Sequence, residues 1–186
     1  MFEIAFEQVP RRVFLDSSTL QTLRNYGSFI WENEPIAEGD RILRIPGGIE
    51  DLEALQSLFL VNQRAGFEFA VSENSLVEAD RKGDPGHMQW VYDVLDHWLA
   101  CVAESGGSSN ESELLGQRLD SPAFGYLGAG DRLLIKDAVT LRCDAFLTME
   151  RRLPKNAPHL LKELGLRVLT PVQHWALLGP YAGLWA

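Results

Sequence analysis

Val13-Phe14-Leu15-Asp16-Ser17-Ser18 is an apolar run stopped by a carboxylate and two hydroxyls. A short, wholly apolar run with polar bounds is the pattern of a strand buried on both faces, which belongs to parallel sheets covered by helices. We take Arg12 to Asp16 as the first strand. Similar runs recur at Phe67 to Val71, Ala145 to Thr148 and Leu166 to Leu169.

Helical segments separate these runs. Thr19 to Ile30 reads as a helix with an irregular end. In Asp51 to Arg64, Leu52, Leu55, Leu58, Phe59 and Asn62 fall near a 3.6-residue period, and Gly66 suits the C-terminal stop. Ser72 is a good N-cap for the helix bearing Leu76, Val77 and Glu78. Met88 to Val102 carries the stripe Val91, Val94, Leu95, Trp98 and Val102. Another helix starts at Gly128-Ala129-Gly130-Asp131 and runs through Leu134 to Leu141. His159 to Leu164 is a short helix closed by Gly165, and Pro171 opens a last one through Leu178. Residues 31 to 50, with Pro35, Gly39, Pro46, Gly47 and Gly48, read mostly as loop, as does Gly106 to Ser112. Strands alternating with helices predict an α/β fold. The expected architecture is a three-layer α/β/α domain over residues 1–186, with a central parallel sheet of four to five strands and a core at about 12–178.

With 186 residues and 46% hydrophobic content, the chain suits one globular domain. No run of about 18 apolar residues appears, so no membrane span is expected. Met1-Phe2-Glu3-Ile4 lacks the basic and apolar regions of a signal peptide, which points to the cytoplasm. Cys101 and Cys143 form no CxxC pair and read as buried free thiols. A net charge of −9 argues against passive nucleic-acid binding, which runs on neutralising phosphates. It leaves room for a metal-dependent nuclease or a basic protein partner.

Open parallel sheets form their sites outside the carboxyl ends of the strands. Asp16 and Glu150 follow two of the apolar runs and fall there. Asp131 lies in a helix's first turn, where a carboxylate suits the dipole. Taken singly, Asp16 is a cap, Asp131 a helix-terminal charge and Glu78 a solvated face. Together, Asp16, Glu78, Asp131 and Glu150 are candidate catalytic residues. Clustered carboxylates hold Mg²⁺ or Mn²⁺, which prefer oxygen ligands. Asp16 and Asp131 are the first choice for direct metal ligands, with Glu78 in support; Glu78 and Glu150 can also bind through water. Ser18 and Thr148 are placed to orient carboxylates or waters, Ser17 less so.

Arg81 and Lys82, just past Glu78, and Arg151 and Arg152, just past Glu150, are candidates for substrate phosphate; Arg132 and Lys136 are others. Asp137, Asp144 and Asp80 read as structural or surface residues, with Asp80 a reserve ligand. Trp31, Trp175 and Trp185 can stack bases, whereas Trp90 and Trp98 read as core. The four histidines have no zinc-ligand spacing. Ser18, where a second Asp is needed, argues against a haloacid-dehalogenase phosphatase. No Gly-x-Ser-x-Gly elbow or P-loop is present.

Several of these segments together resemble the PIN-domain family of metal-dependent ribonucleases, which includes the toxins of toxin–antitoxin pairs. Val13-Phe14-Leu15-Asp16-Ser17-Ser18 is similar to its first strand. Phe69-Ala70-Val71-Ser72 and Ser75-Leu76-Val77-Glu78 resemble the second strand and the helix with the second acid. Asp131 to Ala138 resembles the helix opened by the third acid. Cys143 to Glu150 resembles the last site strand, and Gly165 to Pro171 the closing one. The resemblance implies a Mg²⁺- or Mn²⁺-dependent endoribonuclease acting on RNA, with an antitoxin or another basic protein as partner. Apolar faces near 51–64 and 88–102 permit a homodimer as readily as a plain core. Two departures stand out. Glu150 replaces the family's usual Asp, and the chain carries extra length at 31–50 and 104–128. The alternative is a catalytically weak or inactive PIN-like binding or regulatory module.

Overall fold

The computed structural model describes residues 5–80, 89, 101–103 and 110–185. Five strands, β1 (Arg12–Leu15), β2 (Glu68–Ser72), β3 (Cys101–Ala103), β4 (Ala145–Leu147) and β5 (Arg167–Leu169), form one sheet in the order β3-β2-β1-β4-β5. Every pairing is parallel, with Val13 beside Phe69 on one side and Ala145 on the other. The described helices are α1 (Ser17–Asn25), α2 (Gly27–Glu32), α3 (Gly48–Ala65), α4 (Glu73–Ala79), α5 (Asn110–Leu119), α6 (Ala129–Thr140), α7 (Ala157–Leu164) and α8 (Pro171–Leu178). None of them is long and apolar enough to cross a membrane.

Strand periodicity divides the core into two layers. Val13 and Leu15 pack with Leu20 and Leu23 of α1, Leu52, Leu55 and Phe59 of α3, and Leu76 of α4. Phe14 and Phe146 face the other way, with ring centroids 5.4 Å apart. They pack against Leu119 of α5, Leu134, Ile135 and Ala138 of α6, and Leu160 of α7. Both sheet faces are therefore covered, as the uniformly apolar runs require. A third cluster, Val9, Leu58, Phe67 and Leu178, seats α8 on α3.

The structure departs from the sequence reading in several elements. The helix expected over Thr19 to Ile30 is two helices, broken at Tyr26 (φ −123°). Helix α3 starts earlier than expected, from Gly47 in the left-handed region (φ 73°). Of the helix expected over Met88 to Val102, Gln89 is helical, but Cys101 to Ala103 is the edge strand β3. Three residues of strand are too few for periodicity to separate from a helix end. The intervening residues, including Trp90 and Trp98, lie outside the described residues. The loop expected through Ser112 gives way to α5 at Asn110. Its polar start hides it, yet Glu111 and Glu113 in its first turn and Arg118 in its last complement the helix dipole.

One consequence of the topology positions the site. Strands β1 and β4 are neighbours, but the helices that follow them, α1 and α7, lie on opposite faces. The carboxyl ends of two such strands form a topological switch point, the place outside which ligands bind in open α/β sheets.

Candidate functional site at the carboxyl edge

Asp16 follows β1 at this switch point and is the N-cap of α1. Its Oδ1 accepts the Thr19 N–H at 2.7 Å, and the Ser18 hydroxyl lies 2.9 Å and 2.8 Å from its two oxygens. Thr148, the residue after β4, donates its hydroxyl to Asp16 Oδ2 at 2.6 Å. Thr148 is held in turn by its own N–H, donated to the Leu169 carbonyl at 3.0 Å. The Asp16 N–H and the Thr19 hydroxyl both reach the Leu147 carbonyl, at 3.2 Å and 3.0 Å. The carboxylate is thus fixed by the end of β4 and the first turn of α1. Ser18 and Thr148, expected to orient carboxylates or waters, both hydrogen-bond to Asp16. Thr19 was missed, although the N3 position of a capped helix is where an N-cap carboxylate finds its donor.

Asp16 is only 5% exposed. Burial pushes its pKa up to about 6, against the opposing pull of hydrogen bonds from Thr148, Thr19 and Ser18. Among the described residues no cation acts on it. Its donors are neutral dipoles, and they do not cancel the desolvation of the charge.

The other three acids reach the same edge by different routes. Helix α6 leads into β4 from the carboxyl side, so its first turn lies at that edge. Asp131 sits in this turn and accepts the Gly128 N–H at 3.2 Å. Helix α4 begins directly after β2, and its half-buried Glu78 lies against the α6 turn. A Cβ at Gly130 would come within 3.1 Å of Glu78 Oε1, so glycine there permits the approach. Glu150 is exposed, and its backbone N–H is donated to Thr148 Oγ1 at 3.0 Å. The edge therefore holds two groupings: Asp16 with Thr148 and the Glu150 backbone, and Glu78 with the Asp131 turn. Among the described residues, no group of three or more His, Cys, Asp or Glu side chains is gathered to hold a metal ion. Asp137 is tied to α4, accepting from Asn74 Nδ2 at 2.8 Å, and Asp144 caps the backbone of Arg11 and Arg12.

The basic candidates divide similarly. Arg81 and Lys82 lie outside the described residues. Arg151 faces Asp51 at 2.6 Å and donates to the Pro46 carbonyl at 3.0 Å. Arg132 pairs with Asp120 at 3.2 Å, and Arg152 is exposed. Trp31 packs on Phe59, and Trp185 on Phe6 and Phe67, so these rings serve the core margin. One pair at the edge was missed: the Tyr126 hydroxyl lies 2.9 Å from His159 Nδ1, joining the approach to α6 with the first turn of α7.

The donors available to a metal are carboxylate and hydroxyl oxygens, chemistry that suits Mg²⁺ or Mn²⁺ rather than zinc. In chemical type the residues fit a hard cation; in number, fewer than three of the acids are gathered at any one point among the described residues. Water ligands, which Mg²⁺ keeps in any case, would complete such a shell. The chain matches no family model, no curated protein and no solved structure.

Proposed function

We propose that the chain is a divalent-metal-dependent ribonuclease of PIN-domain type that hydrolyses RNA phosphodiester bonds. The observation that supports this most is the Asp16 carboxylate. It is buried at the switch point, oriented by Thr148, Ser18 and Thr19, and has no counter-charge among the described residues. A carboxylate kept under such conditions is a candidate for function. Asp16 and Asp131 would be the first choice for ligands of the ion, with Glu78 in support and Glu150 acting through water; because no three of these acids are gathered among the described residues, water ligands would complete the shell. Bound Mg²⁺ or Mn²⁺ would lower the pKa of a water and neutralise charge on the phosphate. Thr148 and Ser18 keep both Asp16 oxygens in one orientation. The N-terminus of α6, with its dipole, favours negative charge near Asp131.

The purified protein is expected to cleave single-stranded RNA only with added Mg²⁺ or Mn²⁺, and EDTA should stop it. Asp16→Asn combined with Asp131→Asn should remove the activity; full cleavage by that double variant would place the chemistry elsewhere. A second reading, a PIN-like module that binds without cutting, is favoured because no three of the acids are gathered at one point among the described residues. It predicts RNA or protein binding with no metal-dependent cleavage. Within the first reading the protein would act in the cytoplasm as a toxin, with an antitoxin or another basic protein as partner.

A further inference from the structure

We propose that Asp51 and Arg151 are positioning residues for the loop that carries Glu150, a role that rests on the nuclease reading above. Asp51 lies in the first turn of α3 and is 0% exposed. Its Oδ1 accepts the N–H of Val172, in the first turn of α8, at 3.3 Å. Its Oδ2 meets Arg151 Nη2 at 2.6 Å, and the same nitrogen donates to the Pro46 carbonyl at 3.0 Å. The socket is shaped for this guanidinium. Gly47 has φ +73°, and a Cβ there would come 3.0 Å from Arg151 Nη2. A Cβ on Gly48 would come 2.7 Å from the Ile42 carbonyl, so the turn closes only with glycine.

Glu150 is therefore held from both sides. Thr148 takes its backbone N–H from the sheet side, and Arg151, the next residue, is pinned to α3 and the 46–48 turn. Among the described residues Arg151 is the cation that faces the buried Asp51 carboxylate, so removing it leaves that carboxylate buried without its partner. In this arrangement the guanidinium anchors the loop, in place of the phosphate contact expected from its position. The segment 31–50, extra length beside the compact members of the resembled family, supplies the Pro46–Gly48 half of the socket.

The test compares wild type, Asp51→Asn, Arg151→Gln, Arg151→Lys and the Asp51→Asn/Arg151→Gln double variant. Amide exchange of residues 149–152 is read without metal, and cleavage of single-stranded RNA is read with Mn²⁺ over a salt series. Asp51→Asn and Arg151→Gln are each expected to speed exchange of these amides by about tenfold. Each should lower kcat by about 10-fold or more while KM keeps its salt dependence. The double variant should be no worse than either single change, because both remove one link. Arg151→Lys retains the charge and should recover part of kcat, which also covers the case in which Asp51→Asn fails to fold. A phosphate-contacting Arg151 gives the opposite pattern: KM rises in Arg151→Gln, the salt slope falls by about one, and Asp51→Asn is silent. That pattern, or wild-type exchange in Asp51→Asn, overturns the proposal. If wild type cuts no RNA yet Asp51→Asn frees the loop, the nuclease reading falls and the anchoring stands.

Discussion

Thr148 bears on Asp16 more directly than any other side chain. Its hydroxyl gives the shortest hydrogen bond to the carboxylate and is the largest of the influences lowering its pKa. The same oxygen accepts the Glu150 N–H, so one hydroxyl meets the Asp16 carboxylate and the Glu150 backbone. Thr148→Val keeps the shape and removes both bonds. Because the lost donor favoured the ionised form, the Asp16 pKa should rise further above about 6. Mn²⁺ binding, which needs the carboxylate ionised, should weaken by about 10–100-fold at neutral pH and recover as the pH is raised. Isothermal titration at pH 6 and pH 8 checks this; equal affinity at the two pH values would contradict it. Asp16, Ser18 and Thr148 could be picked out from the sequence because each stands where an apolar run stops. The partner of Arg151 could not be, since Asp51 is about a hundred positions away and reaches it only through the fold.

At the scale of elements, β1 and β4 were legible for the reason that makes them central. Each is apolar on both faces, and burial of Val13, Phe14, Leu15, Ala145, Phe146 and Leu147 follows. β3 and α5 were not, because an edge strand of three residues and a helix with a polar start carry too little pattern. Phe14 joins the two central strands by stacking on Phe146 and is 0% exposed. Phe14→Ala should cost about 3–5 kcal/mol, from lost burial and the cavity left under α6. Phe14→Leu should cost far less, since most of the volume is kept. Urea unfolding of the two variants gives the comparison; a Phe14→Ala cost below about 1 kcal/mol would mean that the β1–β4 seam is not tightly packed. The seam also sets the distance between Asp16 and Thr148, so Phe14→Ala should weaken metal binding without touching the site.

Among the described residues, buried His174 and Asp16 bear on the response to pH in opposite directions. His174 is 1% exposed in α8, and burial lowers its pKa from 6.5 to about 4, partly offset by the Pro10 backbone. Between those values the folded chain binds fewer protons than the unfolded one, so stability falls as pH drops from 6.5 towards 4. Asp16 is raised from 3.8 to about 6. The folded chain then holds the extra proton, so stability is greatest below 3.8 and is lost as pH rises through 6. At 1.36 kcal/mol per pH unit each displacement is worth on the order of 3 kcal/mol, and across about pH 4 to 6 they largely cancel. Asp51, also raised by burial, acts in the same sense as Asp16. Metal-free wild type should therefore show a shallow stability profile in this range. Asp16→Asn removes one side of the balance: it should raise the melting temperature at pH 7.5 and expose a steep acid loss below pH 6.5. His174→Phe should do the reverse, leaving a protein that gains stability as the pH falls from 6.5 to 4. Thermal melts in EDTA at half-unit pH steps measure both curves. Parallel profiles for the two variants would show that these groups do not govern the balance. The sign for Asp16→Asn at neutral pH matters most for function, because a residue whose removal stabilises the apo fold is one the chain keeps for another purpose.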